Sequence, residues 1–249
     1  MIIQNKKIQY LRLNHFLSIS GIASRRNADK LIKSGIVKIN GKLVNKLGTY
    51  IHINDIVTVY GTRVKSQKKI YILINKPKGC ITSTHDPLHR KTIMNLVTTQ
   101  KIENQKIYPI GRLDYFTTGV LLLTNDGYIT NIFTHPKYNI QKIYHVVLNK
   151  MITNEDINKI KNGKIYLKEG KVIIDYIKYL KYKNQLKIKM HIGWNKIIKR
   201  LFKKLHYKVI KLDRINFGGF TKNKLKRGKY KFLSQEKVYN MLKQHLYHL

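Results

Sequence analysis

Five consecutive apolar residues, Ile70-Tyr71-Ile72-Leu73-Ile74, set the strongest limit on how this chain can fold. A run that short and that continuous suits a buried strand. Further strands are expected at residues 119–124, 143–148, 171–179 and 185–192, several with period-two alternation, and helices at residues 154–161, 195–205 and 235–245. This mixture implies an α+β domain, a predominantly antiparallel sheet with peripheral helices. No apolar run approaches the roughly 18–20 residues needed to cross a bilayer. Residues 1–10 lack the continuous apolar core of a signal peptide.

A smaller unit precedes this domain. Leu11, Leu13, Phe16 and Leu17 fall at near-helical spacing, and Gly21 closes that helix. Ser24 is placed to cap a second helix that carries Ala28, Leu31 and Ile32 on one face and ends at Gly35. Asn40-Gly41 between two short apolar segments signals a two-residue hairpin. The expected organisation is a small module at residues 1–61, a polar and basic linker at 62–69, and one larger domain at 70–249.

Charge narrows the partners. Lys and Arg number 50 against 12 Asp and Glu, a formal net charge of +38. Such an excess points to nucleic acid, where each phosphate contact releases condensed counterions. An A/T-rich genome would enrich Lys, Ile, Asn and Tyr without selection for binding, but that bias does not account for the scarcity of acids. The single cysteine, Cys80, excludes an internal disulfide and a zinc cage and fits a reducing, cytoplasmic setting.

With so few carboxylates, each can be weighed. Asp126, in Asn125-Asp126-Gly127, and Asp86, before Pro87, read as turn residues; Asp213 reads as the partner of a neighbouring cation. Asp114 differs, because Gly111-Arg112-Leu113-Asp114 leads through a short loop into the apolar strand Val120-Leu121-Leu122-Leu123. An acid there is held by a buried strand yet can face a cleft. A loop acid capping a backbone amide fits the same residues.

The residues around Asp114 carry a resemblance. Tyr108-Pro109-Ile110-Gly111-Arg112-Leu113-Asp114, continuing through Thr117-Thr118-Gly119 to Asn125-Asp126-Gly127, resembles the catalytic signature of bacterial ribosomal RNA pseudouridine synthases. Asn75-Lys76-Pro77-Lys78-Gly79, Lys142-Ile143-Tyr144 and Gly193-Trp194-Asn195-Lys196 through Arg200-Leu201-Phe202 resemble three further motifs of that family, in its order. The first sixty residues resemble the RNA-binding module named after ribosomal small-subunit protein four.

The resemblance implies an isomerase that turns uridine into its C-glycoside without cofactor or metal. It implies Asp114 as the essential carboxylate, acting on the anomeric carbon or through a glycal-type intermediate, and Tyr144 packed on the flipped base. The family's closing helix carries an arginine that bridges to the aspartate; the equivalent position here is Lys199, with Arg200 beside it and Ile197 in place of a polar residue. Lysine brings charge without the planar two-pronged donor. RNA contacts are expected from Arg25, Arg26 and Lys38 in the small module and from Arg112, Asn195, Lys196 and Arg200 in the large one. The context at residues 124–127 and 200–202 is most similar to members acting on large-subunit ribosomal RNA, and a monomer suffices. The competing reading is a ribosome-assembly factor that grips RNA without turnover. A glycosidase would need a second, paired carboxylate, and none stands out.

Overall fold

The computed structural model describes residues 10–65, 67–97, 99–102 and 105–246, so the segment weighed above as a leader lies largely outside the described residues. The chain divides into two compact units, residues 1–68 with 104–106 and residues 69–103 with 107–249.

In the first unit, β1 (Tyr10–Arg12) runs into α1 (Leu13–Ile19), and α2 (Arg25–Lys33) follows. The Ser24 hydroxyl accepts from the Asn27 amide at 3.2 Å and caps α2. Then come β2 (Val37–Ile39), β3 (Lys42–Leu43), β4 (Tyr50–His52), β5 (Val57–Val59) and β6 (Thr62–Arg63). Strands pair in the order β3-β2-β5-β6, and β4 pairs with β1. Ile39 opposes Lys42 across Asn40 (φ 49°) and Gly41 (φ 82°), the expected tight hairpin. Leu13, Leu17, Ala28, Ile32, Val37 and Val57 form the core beneath the helices.

The segment read as linker is ordered at its start. Thr62 and Arg63 pair with Val59 and Thr58, and Val64 is buried. Its polar side chains conceal an edge strand whose role is backbone pairing, which composition does not register.

The second unit is built on one nine-stranded sheet. Its elements are β7 (Tyr71–Lys76), β8 (Tyr108–Ile110), β9 (Thr118–Thr124), α3 (Gly127–Thr134), β10 (Lys142–Leu148) and α4 (Asn154–Lys161). A small ribbon of β11 (Tyr166–Leu167) and β12 (Gly170–Lys171) follows, then β13 (Tyr176–Tyr179), β14 (Gln185–Met190) and α5 (Ile197–Lys204). The chain continues through β15 (Val209–Phe217), β16 (Phe220–Thr221), β17 (Tyr230–Leu233) and α6 (Gln235–Leu246). Strand order is β13-β14-β10-β15-β9-β7-β17, with β16 on β15 and β8 on β9; β15 with β9 is parallel and the other pairs are antiparallel.

β7 and β9 are buried on both faces, which explains their unbroken apolar runs. Tyr71, Leu73, Val120 and Leu122 enter one core; Ile72, Ile74, Leu121 and Leu123 enter another. A third core lies between β10, β14 and the helices α4 and α5.

The strand expected at residues 171–179 is two. Gly170–Lys171 pairs with β11 and Tyr176–Tyr179 with β14, so the alternation continues while the chain changes partners. Asp126 is not a simple turn residue. Its carboxylate accepts from the Tyr128 and Ile129 amides at 3.0 and 3.4 Å, capping α3, and from the Tyr71 hydroxyl at 2.7 Å.

The edge of β9 opposite β7 is shared. β15 takes Thr118 and Gly119, whereas β8 takes Leu122, Leu123 and Thr124. The β8–β9 loop, with Asp114, leaves the sheet at this division. Gly119 adopts φ +112°, and a Cβ there would collide with the backbone of Arg214, so the parallel contact requires glycine.

Candidate active site

The loop carrying Asp114 is held from below. The Thr117 amide donates to the Asp114 carbonyl at 3.0 Å, closing a β-turn over residues 114–117. Lys76, fully buried at the end of β7, directs its ammonium at three carbonyls: Pro77 at 3.0 Å, Asp114 at 3.1 Å and Thr117 at 3.0 Å. Burial pushes its pKa down to about 8, while three acceptors use all three donors of the ammonium form. The Gly79 amide holds the Tyr115 carbonyl at 3.1 Å. The backbone of the acid is therefore placed before its side chain makes any contact.

α5 supplies the cation. Ile197, Ile198, Leu201 and Phe202 are buried and set the face of the helix. Lys199 and Arg200, adjacent and so about 100° apart around the axis, diverge. The Lys199 ammonium lies 3.1 Å from the Asp114 carboxylate, both side chains about one-third exposed. The Arg200 guanidinium makes a two-pronged contact with Glu169, both bonds 2.8 Å.

Opposite stands a third element of the site. Tyr144 and Arg214 are register partners on β10 and β15. Arg214 is only 2% exposed; its Nε donates to the Val120 carbonyl at 2.8 Å, and its guanidinium lies 4.2 Å from the Phe217 ring centroid. Burial lowers its pKa, opposed by its interaction with the Tyr144 hydroxyl. A guanidinium only donates, so the Tyr144 oxygen accepts and its own proton stays available. The Arg214 Nη2 is buried without a hydrogen-bond partner among the described residues. Lys142, two residues from Tyr144, donates to the carbonyls of His191 at 2.7 Å and Ile140 at 3.1 Å; burial, with Arg214 nearby, pushes its pKa down to about 8.

Asp114, Tyr144, Arg214 and Lys142 line one cleft of about 810 Å³, together with Arg112 and Trp194. That volume is within the range of sites that engulf a small molecule or a single nucleotide-sized group.

Residues 70–230 match the family described as RNA pseudouridylate synthase, and residues 11–57 match the S4 domain. The chain belongs to the RNA pseudouridine synthase family. It is 37% identical over 232 residues to ribosomal large subunit pseudouridine synthase B of Bacillus subtilis, covering 91% of this chain and 93% of the relative. It is 38% identical over 238 residues to an RNA pseudouridine synthase of Aquifex aeolicus, covering 94% of each. Among solved structures, a pseudouridylate synthase superposes with a TM-score of 0.65 at 28% identity, covering 93% of this chain and 99% of that one.

In this pseudouridine synthase the structure brings Asp114, Tyr144, Arg112, Asn195 and Lys196 to one cleft and Lys199 to the acid. Lys196 takes a left-handed conformation, φ 47°, so α5 starts at Ile197 rather than at Asn195. Ile197 is a core residue, which accounts for its apolar side chain. Arg200, expected to contact RNA, has its guanidinium occupied by Glu169. Arg25, Arg26 and Lys38 are exposed on the S4 unit, none with an ion-pair partner among the described residues. Sequence reasoning missed the Lys76 clamp and Arg214. Lysine in a strand of apolar residues and arginine in Leu212-Asp213-Arg214-Ile215 were the available signals, since a cation inside an apolar strand must be buried for a reason.

Proposed function

We propose that this synthase isomerises a single uridine of large-subunit ribosomal RNA, with Asp114 as nucleophile. The observation that carries the reading is the Asp114–Lys199 pair, 3.1 Å apart on a clamped loop within the cleft that holds Tyr144. The Asp114 carboxylate attacks C1′ of the flipped uridine as the C1′–N1 bond breaks and uracil leaves as its anion. The base turns, C5 displaces the carboxylate at C1′, C5 loses its proton and N1 gains one. The product has the atoms of the substrate. A glycal route uses the same carboxylate, as the base that takes the C2′ proton. Tyr144 packs on the base and takes part in proton transfer, its oxygen held by Arg214.

Lys199 orients the carboxylate as a point charge in place of an arginine fork. Extruding the uridine costs a few kcal/mol, which an apolar and aromatic cradle offsets; Tyr144, Trp194 and Phe217 supply one. The S4 unit adds sequence-independent affinity through Arg25, Arg26 and Lys38, the first two at a helix start and the third on a strand, where phosphates can approach. The large-subunit target is supported by the name of the Bacillus relative, and a cytoplasmic site of action by that substrate. No helix among the described residues is long and apolar enough to cross a membrane.

The test is pseudouridine formation on protein-depleted large-subunit ribosomal RNA by the native protein and Asp114→Asn, with the modified position mapped. Product from the native protein alone is expected. Equal RNA binding by both with product from neither would replace this reading by that of an assembly factor.

A further inference from the structure

The turn that carries Asp114 also carries two aromatic side chains at its corners. Tyr115 and Phe116 occupy the central positions of the β-turn closed by the Thr117 amide and the Asp114 carbonyl. Those positions ordinarily go to Gly, Pro, Asn, Asp or Ser. Phe116 is 66% exposed and Tyr115 41%, and their rings meet edge to face, centroids 5.0 Å apart. This exposure is not that of a loose loop, because the Lys76 ammonium holds the carbonyls at both ends of the turn and Gly79 holds the one between. Tyr115 lines the cleft and Phe116 does not.

We propose that Phe116, backed edge-on by Tyr115, is the platform on which a base flanking the target uridine stacks. The partner of this family is RNA, and a chain of net charge +38 draws it in. Extruding one nucleotide breaks the stack of its neighbour, and splayed bases in single-stranded RNA are held on aromatic faces. A ring on a clamped turn, two positions on from Asp114, replaces the lost stacking partner without searching for it. An apolar ring at a turn corner breaks the local sequence rule, as residues kept for function do. The inference rests on Asp114 marking the site where the uridine is flipped.

The test compares Phe116→Ala, Phe116→Leu and Phe116→Tyr with the native protein on the large-subunit transcript, reading affinity by filter binding across salt and product by single-turnover assay. Base–aromatic stacking predicts a loss of about 5- to 150-fold in affinity or rate for Phe116→Ala, restoration by Tyr and not by Leu, and an unchanged salt slope, since no phosphate contact is removed. A Phe116→Trp variant should lose emission on RNA addition beyond any change shown by Trp194 in the native protein. Alanine within twofold of native in both readouts, leucine equal to phenylalanine, or no added quenching would overturn the proposal. Absence of product from the native protein would instead count against the assigned reaction, and the affinity and emission readouts would still decide the role of Phe116.

Discussion

Lys199 and Arg200 are neighbours on one helix yet serve different carboxylates: Lys199 meets Asp114 at 3.1 Å, and Arg200 grips Glu169 with two bonds of 2.8 Å. The direction of each follows from the buried stripe of Ile197, Ile198, Leu201 and Phe202, which leaves α5 one rotational setting. The stronger donor fork is thus spent on the flank of the helix and the simpler ammonium on the acid.

Replacing Lys199 separates charge from geometry. Lys199→Met removes a charge-assisted hydrogen bond, which is worth about 1.5–3 kcal/mol, so single-turnover rate should fall about 10- to 150-fold. Lys199→Arg should retain most of the rate, because the charge remains within reach of Asp114. Rates that do not distinguish Met from Arg would show that the pair does not orient the acid.

The Tyr144–Arg214 contact predicts coupling between two substitutions. Tyr144→Phe removes the acceptor oxygen and Arg214→Lys removes the planar donor, so each should lower the rate about tenfold or more, on the scale of a charged hydrogen bond. Together they should cost little more than the worse of the two, since both break one interaction. Losses that multiply in the double variant would show that Arg214 acts elsewhere.

Acid stability should depend on Asp213. Burial alone would raise its pKa, but hydrogen bonds from Arg227, Lys222 and Thr118 outweigh it and hold the carboxylate at about 2. The Lys222 and Arg227 contacts are 2.6 and 3.0 Å, and the Thr118 hydroxyl donates at 2.7 Å. A folded pKa below the unfolded value of about 3.9 gives stability that is complete above about pH 5 and lost progressively as pH falls through about 2, about 2–3 kcal/mol in all. Denaturant melts of native protein and Asp213→Asn should differ most at neutral pH and converge toward pH 2. A difference independent of pH would contradict the assignment.

Much of this molecule was legible from local chemistry. Apolar runs at residues 70–74 and 120–123 announced strands covered on both faces, Asn40-Gly41 announced a hairpin, and Ser24 announced a cap. Asp114 stood out as a candidate because so few acids compete with it for attention. What local pattern did not show is what depends on partners distant in the chain. β15 reads as an ordinary basic stretch until β9 and β10 flank it, and Thr62–Arg63 is a strand only because β5 has a free edge. Lys76 looked like part of a turn motif, and only the return of the Asp114 loop over β7 supplies the carbonyls that explain its burial.

The division of the β9 edge has a consequence for biosynthesis. Thr118 reaches its partner Asp213 across 95 residues, and Lys199 arrives at Asp114 after 85 more residues have been made. Contacts so far apart in sequence close late, after the loop between them has been ordered. A ribosome that has just released the signature residues has therefore not yet made the Lys199 that pairs with Asp114. The cleft is assembled only when the last third of the chain has been synthesised and laid against the middle, so a nascent chain carries its S4 unit well before it carries the Asp114–Lys199 pair.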